Sequence, residues 1–126
     1  MAGGVIARQK AAGVEGKIPV TGQDATSEGL ANVLQGYQCG TVFKDTSLEA
    51  KAASDLAIAI INGDDTTAIA TGTVNDSELG KDVPSVLATP VWITADNVQD
   101  VVDAGQANAA DICKGIEKLC QKYGVS

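Results

Sequence analysis

Histidine is absent from all 126 residues, and aromatic side chains are few: one Trp, two Tyr and one Phe. Without histidine the chain lacks the commonest general base, the commonest metal ligand and every Ser-His or Cys-His nucleophile pairing. No nucleophile elbow or cluster of metal-ligating side chains takes its place, so the reading is non-enzymatic: no catalytic residue, no metal and no cofactor. Basic residues are also in the minority, 9 Lys and Arg against 16 Asp and Glu, for a formal net charge of -7. Such a chain has no basic stripe to neutralise phosphates, which argues against nucleic acid and anionic membrane surfaces as partners. Long apolar runs are missing too. LAIAIING, from Leu56 to Gly63, falls far short of the roughly 20 residues that cross a bilayer, so no direct membrane insertion is expected. The first ten residues, MAGGVIARQK, lack the charged-then-apolar order of a secretion signal; a protein working outside the cytoplasm would carry that signal elsewhere. Glycine-rich phosphate loops do not occur after any strand. NGDDTTAIATGTVND lacks the ligand order and closing Glu of a calcium loop.

What is present reads as alternating helices and strands. Residues 4–12, GVIARQKAA, have helix-forming composition with Gly13 placed to end the helix. A short strand, Ile18 to Thr21, precedes a helix from Ser27 to Leu34 closed by Gly36, and Cys39 to Lys44 reads as a second strand. DTSLEAKAASDLAIAIING is the clearest helix. Thr46 with Glu49 three residues later forms a capping box, Leu48, Ala52, Leu56, Ala59 and Ile60 share one apolar face, and Asn62-Gly63 supplies the stop. Asp64 to Pro84 is polar and aperiodic, and reads as a long surface connection. SVLATPVWIT is extended, with Pro90 at a bend or edge position. A short helix from Thr94 or Asp96 turns Val98, Val101 and Val102 inward and ends at Gly105, and AADICKGIEKLCQKYG closes the chain with one last helix. This alternation predicts an α/β layer fold with a mainly parallel sheet.

The three cysteines are Cys39, Cys113 and Cys120. On an unbroken helix the last two stand about 10 Å apart, too far for a disulfide. A break at Gly115 lets the chain fold back. Two outcomes therefore stand open: a small-loop disulfide, which points to an oxidising compartment, or two free buried thiols. Cys39, inside the second strand, reads as a small core residue.

In parallel sheets ligands gather at the carboxyl ends of the strands, and KIPVTGQDATSEG puts Gln23 and Asp24 there, as the second strand does Lys44. Asp24 has two readings. It either caps the following helix, accepting backbone N–H groups near the positive end of the dipole, or it accepts hydrogen bonds from a ligand. Lys44 is either a solvated strand-end charge or a donor. An acceptor and a donor together suit a neutral polyhydroxy ligand. Trp92 either stacks on a sugar ring or packs in its strand.

The stretches GKIPVTGQDATSEGLANVLQGYQCGTVFKDTSLEAKAASDLAIAIINGD and VPSVLATPVWITADNVQDVVDAG resemble the xylose-binding proteins of ABC sugar transport, members of the type I periplasmic binding family. The Gly-Gln-Asp strand tip and the Thr-Val-aromatic-Lys patch carry the likeness, the Lys lying twenty residues after the Asp. The resemblance implies an α/β, parallel-sheet fold, the C-terminal part of two lobes joined by crossing strands. It implies Asp24 and Lys44 as sugar contacts, with Gln23 beside them, and moves Asp24 from cap to ligand. Residues 1–42 would belong to the C-terminal lobe. Residues 43–88 would form a hinge crossing and a piece of the N-terminal lobe, and residues 89–126 a return crossing and the rest of the C-terminal lobe. Family members are at least about twice as long, so the chain is expected to be a fragment, or one half of a split protein. Its implied partners are a monosaccharide, a complementary N-terminal segment or second chain, and an ABC permease, in the periplasm or at the cell surface. The competing readings are the effector-sensing domain of a sugar-responsive transcription regulator, and a purely structural module.

Overall fold

The segments marked by their closing glycines as helices are helical in the computed structural model, which describes residues 1–126. In chain order the elements are α1 (Ala2–Ala11), β1 (Thr21–Gln23), α2 (Ser27–Leu34), β2 (Gly40–Phe43), α3 (Thr46–Asn62), β3 (Gly72–Asp76), β4 (Lys81–Ser85), β5 (Val91–Ile93), α4 (Gln99–Asp103), α5 (Ala109–Cys113) and α6 (Glu117–Tyr123). They form two compact units. One comprises Met1–Lys44 with Pro90–Ser126, the other Asp45–Thr89.

The first unit holds the main core. Its sheet runs β1-β2-β5, with β1 parallel and β5 antiparallel to β2. Leu30, Val33 and Leu34 of α2 bury against Phe43 and Ile93 of the sheet and against Val98, Val101, Ile112, Cys120 and Val125. Each such side chain contributes about 1.5–3 kcal/mol on burial, before conformational entropy is subtracted. Gly40 begins β2 because nothing larger fits: a Cβ there would lie 2.7 Å from the carbonyl oxygen of Ile93 and would also strike the Trp92 ring.

β1 lies further along the chain than the sequence suggested. Ile18 is exposed and outside the sheet, and pairing begins at Thr21 opposite Gly40. The partner strand sets this register. Gln35 to Cys39 are still turning back from α2, so the residues preceding Val20 have nothing to pair with. The same geometry leaves Cys39 exposed, a correction to its reading as core: it stands just ahead of the paired strand, next to the fully packed Gly40.

The expected last helix is two. Lys114 and Gly115 interrupt it, Gly115 at φ +79°, and the chain doubles back. Cys113 and Cys120 thereby come within 5.8 Å between Cα atoms and form a disulfide.

In the second unit, the cap of α3 lies one residue before the expected one. Asp45, not Thr46, accepts the Ser47 N–H at 2.9 Å and the Ser47 hydroxyl at 2.6 Å. Gly63, at φ +76°, ends the helix as its sequence implied. The apolar stripe of α3 is not buried: only Ala59 is, while Leu48 is 58%, Ile60 69% and Ile61 83% exposed. The expected long connection is a hairpin instead. β3 and β4 pair antiparallel through Thr73–Pro84 and Val74–Val83, and the Asp76 carboxylate closes the turn by accepting N–H groups of Glu78 and Leu79. A short, polar, mostly exposed ribbon has no apolar alternation to announce it.

Two outcomes follow. Gly40→Ala should destabilise the first unit by about 1–3 kcal/mol through overpacking, read as a lower urea midpoint followed by Trp92 fluorescence; an unchanged midpoint would show that β2 and β5 do not pack this closely. Hydrogen bonds from the Ser47 hydroxyl and then the Ser47 N–H hold the Asp45 carboxyl below its usual range. A carboxyl with a depressed folded pKa stabilises the fold above its unfolded value and loses that contribution as pH falls through the folded one. Helix ellipticity should therefore decline on acidification below about pH 4, with Asp65 and Glu117, also held low by hydrogen bonds, contributing. Asp45→Asn keeps a good cap and should flatten part of this decline. An identical acid titration for Asp45→Asn would count against the cap's share.

Candidate functional site

The site begins where β1 stops. Asp24 N–H donates to Val42 O at 2.7 Å, extending the parallel ladder by one bond. The backbone then turns left-handed at two successive non-glycine residues, Asp24 at φ +76° and Ala25 at φ +45°. Such residues cost about 1 kcal/mol or more each and persist only where their surroundings hold them. Here the buried Thr41 does so: its hydroxyl accepts the Ala25 N–H at 3.2 Å, and Ala25 itself is packed into the core. Asp and Asn tolerate this conformation better than other residues, which suits Asp24 to the position.

The helix that follows does not use Asp24. Thr26 is the N-cap of α2, its hydroxyl accepting the Gly29 N–H at 3.2 Å. Of the two readings of Asp24, the cap is thus taken by another residue. The carboxylate stands 67% exposed, 4.0 Å from the Lys44 ammonium, which is 37% exposed and lies one residue past β2. At that distance and exposure the pair contributes at most about 1 kcal/mol, so both charges remain open to a further partner. The parallel register places these two strand ends side by side, Gln23 opposite Val42 and Lys44 two residues beyond it.

A cavity of about 860 Å³ opens beside this corner, its wall including Gln23, Asp24, Glu28, Asn32 and Gln38. Lys44 borders Asp24 but is not part of that wall. Glu28 and Gln38 were not singled out from the sequence. Gln38 is buried, 3% exposed; its Nε2 donates to Gly40 O at 3.0 Å, and its Oε1 has no partner. The signal for it was Gly22. A Cβ there would sit 2.5 Å from Gln38 Nε2, and a glycine inside a strand marks such a close approach. Trp92, in the middle of β5 opposite Val42, is 46% exposed, and Asn97 Nδ2 donates to its carbonyl.

The family described as periplasmic binding protein domain matches residues 1–65. The D-xylose-binding periplasmic protein of Escherichia coli (strain K12) is 38% identical over 101 residues, 80% of this chain and 29% of its own length. The multiple sugar-binding periplasmic receptor ChvE of Rhizobium radiobacter is 35% identical over 99 residues, 78% of this chain and 27% of its own. The multiple sugar-binding periplasmic protein SbpA of Azospirillum brasilense is 37% identical over 92 residues, 68% of this chain and 24% of its own. The chain therefore spans less than a third of the length of these relatives. With a family match over 65 of 126 residues, and a mixed α/β fold whose parallel strand pair ends in polar side chains, the chain belongs to the periplasmic binding protein family and carries part of its type I fold.

Proposed function

We propose that this chain supplies one wall of the cleft of a receptor that delivers a xylose-like monosaccharide to an ABC permease, with Asp24, Lys44 and Gln23 as ligand contacts. The observation that carries the reading is Asp24: held at a strand tip by its backbone, released from capping by Thr26, and 4.0 Å from a cation. A carboxylate accepts from sugar hydroxyls, an ammonium donates to them, and an amide does both. Hydrogen bonds involving a charge are about twice as strong as neutral ones, and they reject an analogue that leaves the charge buried and unmatched. The relatives named above are sugar-binding proteins and receptors, which supports a binding role over a catalytic one. The Cys113–Cys120 disulfide supports a periplasmic or extracellular setting, since disulfides persist in oxidising compartments.

A second part of the proposal concerns completeness. Leu48, Ile58, Ile60 and Ile61 of α3 are large apolar side chains left exposed around a helix that buries only Ala59, more apolar exposure than a self-sufficient unit usually carries. They support a complementary segment or second chain that supplies the opposing wall and is required for sugar binding.

Titration calorimetry with D-xylose tests both parts. The chain alone should bind weakly or not at all, and the assembled protein should bind measurably. In the assembled protein Asp24→Asn, which keeps a residue suited to φ +76°, should lose about 2 kcal/mol of affinity or more, roughly 30-fold, with unfolding unchanged. Unchanged affinity for Asp24→Asn would remove Asp24 from the site, and full affinity in the isolated chain would remove the need for a complement.

A further inference from the structure

Thr41 puts a hydroxyl on the sheet face that builds the core. Alternate residues of a strand share a face, and so do partners across neighbouring strands, so Thr41 stands with Phe43 and Ile93, both members of the core cluster. It is 1% exposed. A valine would occupy nearly the same volume there without burying an oxygen, and a buried hydroxyl costs free energy unless it is hydrogen-bonded. The partner lies sixteen residues back in the chain: the Ala25 N–H donates to Thr41 Oγ1 at 3.2 Å.

That bond bears on where Asp24 points. Asp24 N–H is fixed on Val42 O at 2.7 Å and the next amide on the Thr41 hydroxyl, so two consecutive residues of β2 grip two consecutive amides of the turn. Held this way, Asp24 and Ala25 keep φ values of +76° and +45°, which non-glycine residues adopt only where their surroundings impose them. The Val42 grip is backbone and belongs to the register. The Thr41 grip is a single side-chain oxygen. Without it the N–H of Ala25, a residue 3% exposed, loses this acceptor, and buried N–H groups are almost always paired. The turn then opens toward another acceptor, φ relaxes, and the carboxylate loses its fixed place beside the Lys44 ammonium 4.0 Å away.

We propose that Thr41 is a positioning residue for the sugar: it sets the affinity through Asp24 rather than through a contact of its own, by holding the left-handed turn before the ligand arrives. A carboxylate already in place loses little freedom on binding. One that must first be ordered binds more weakly, in proportion to the fraction of time it is misplaced. Serine would supply the same oxygen, and valine the same shape without it. This rests on the reading of Asp24 as a ligand contact and names what fixes it.

Nuclear magnetic resonance on the full chain reads the turn, and D-xylose titration of the assembled protein reads its consequence. In Thr41→Val the one-bond Cα–Hα couplings of Asp24 and Ala25, which are smaller at positive φ, should rise. The Ala25 amide should exchange about tenfold faster or more, with circular dichroism unchanged. Affinity should fall about tenfold in Thr41→Val and recover to within about threefold in Thr41→Ser. On an Asp24→Gly background, where the turn is tolerated and no carboxylate is left to position, Thr41→Val should cost less than about threefold, whereas independent effects would add in full. The proposal is overturned by the full loss on that background, by Thr41→Ser as weak as Thr41→Val, or by couplings and exchange that Thr41→Val leaves unmoved. Loss of the fold in Thr41→Val would overturn it too, assigning the hydroxyl to the core alone. The two readings fail differently. Unchanged affinity in Asp24→Gly removes the sugar contact and the proposal with it; a weakened Asp24→Gly beside an unaffected Thr41→Val removes only the positioning role.

Discussion

The parallel contact of β1 with β2 is the constraint on which the rest of the site depends. One bond, Asp24 N–H to Val42 O, ends the ladder, and one buried hydroxyl, Thr41, catches the next amide. Between them they hold two left-handed residues that would otherwise relax, and so fix where the Asp24 carboxylate emerges. The glycines serve the same contact: Gly22 lets Gln38 cross beneath β1, and Gly40 lets Trp92 and Ile93 close over β2. Loss of this register would shift Asp24 and Lys44 apart, although neither takes part in the core.

Stability and function are distributed unevenly along the chain. In the first unit, buried side chains from α2, the sheet and the C-terminal helices meet in one cluster, and the disulfide joins two of those helices within it. The tail is latched as well, Gln99 and the backbone of Ser126 exchanging hydrogen bonds while Val125 buries. The second unit has a well-capped helix and a paired ribbon but one buried residue on α3. Capping and pairing satisfy its backbone. They do not bury its isoleucines, and hydrophobic burial stabilises a fold more than capping does.

Where local chemistry decides structure, the sequence was legible. The bounds of α2 and its glycine stop, the end of α3 at Gly63, and the inward Val98 and Val101 followed from caps, periodicity and glycine alone. The errors arose where a distant strand decides. β1 starts three residues later than its apolar run because β2 offers no partner before Cys39, and Cys39 is exposed for the same reason. The hairpin Gly72–Ser85 was missed because an exposed ribbon needs no apolar face. At the site, Gln23, Asp24 and Lys44 were visible as polar strand ends, and the release of Asp24 from capping was not, since Asp is by residue type among the preferred caps and only the left-handed turn at Asp24 and Ala25 hands the position to Thr26. Gln38 and Glu28 are products of the fold, brought to the cavity by α2 and the turn after it.

The most direct measurement is a crystal structure of the assembled protein with D-xylose. An Asp24 carboxylate oxygen and the Lys44 nitrogen are expected within about 2.5–3.2 Å of sugar hydroxyls, with Asp24 still in its left-handed conformation and Thr26 still capping α2. A sugar seated elsewhere, with Asp24 facing solvent or turned onto the start of α2, would contradict this reading of the site.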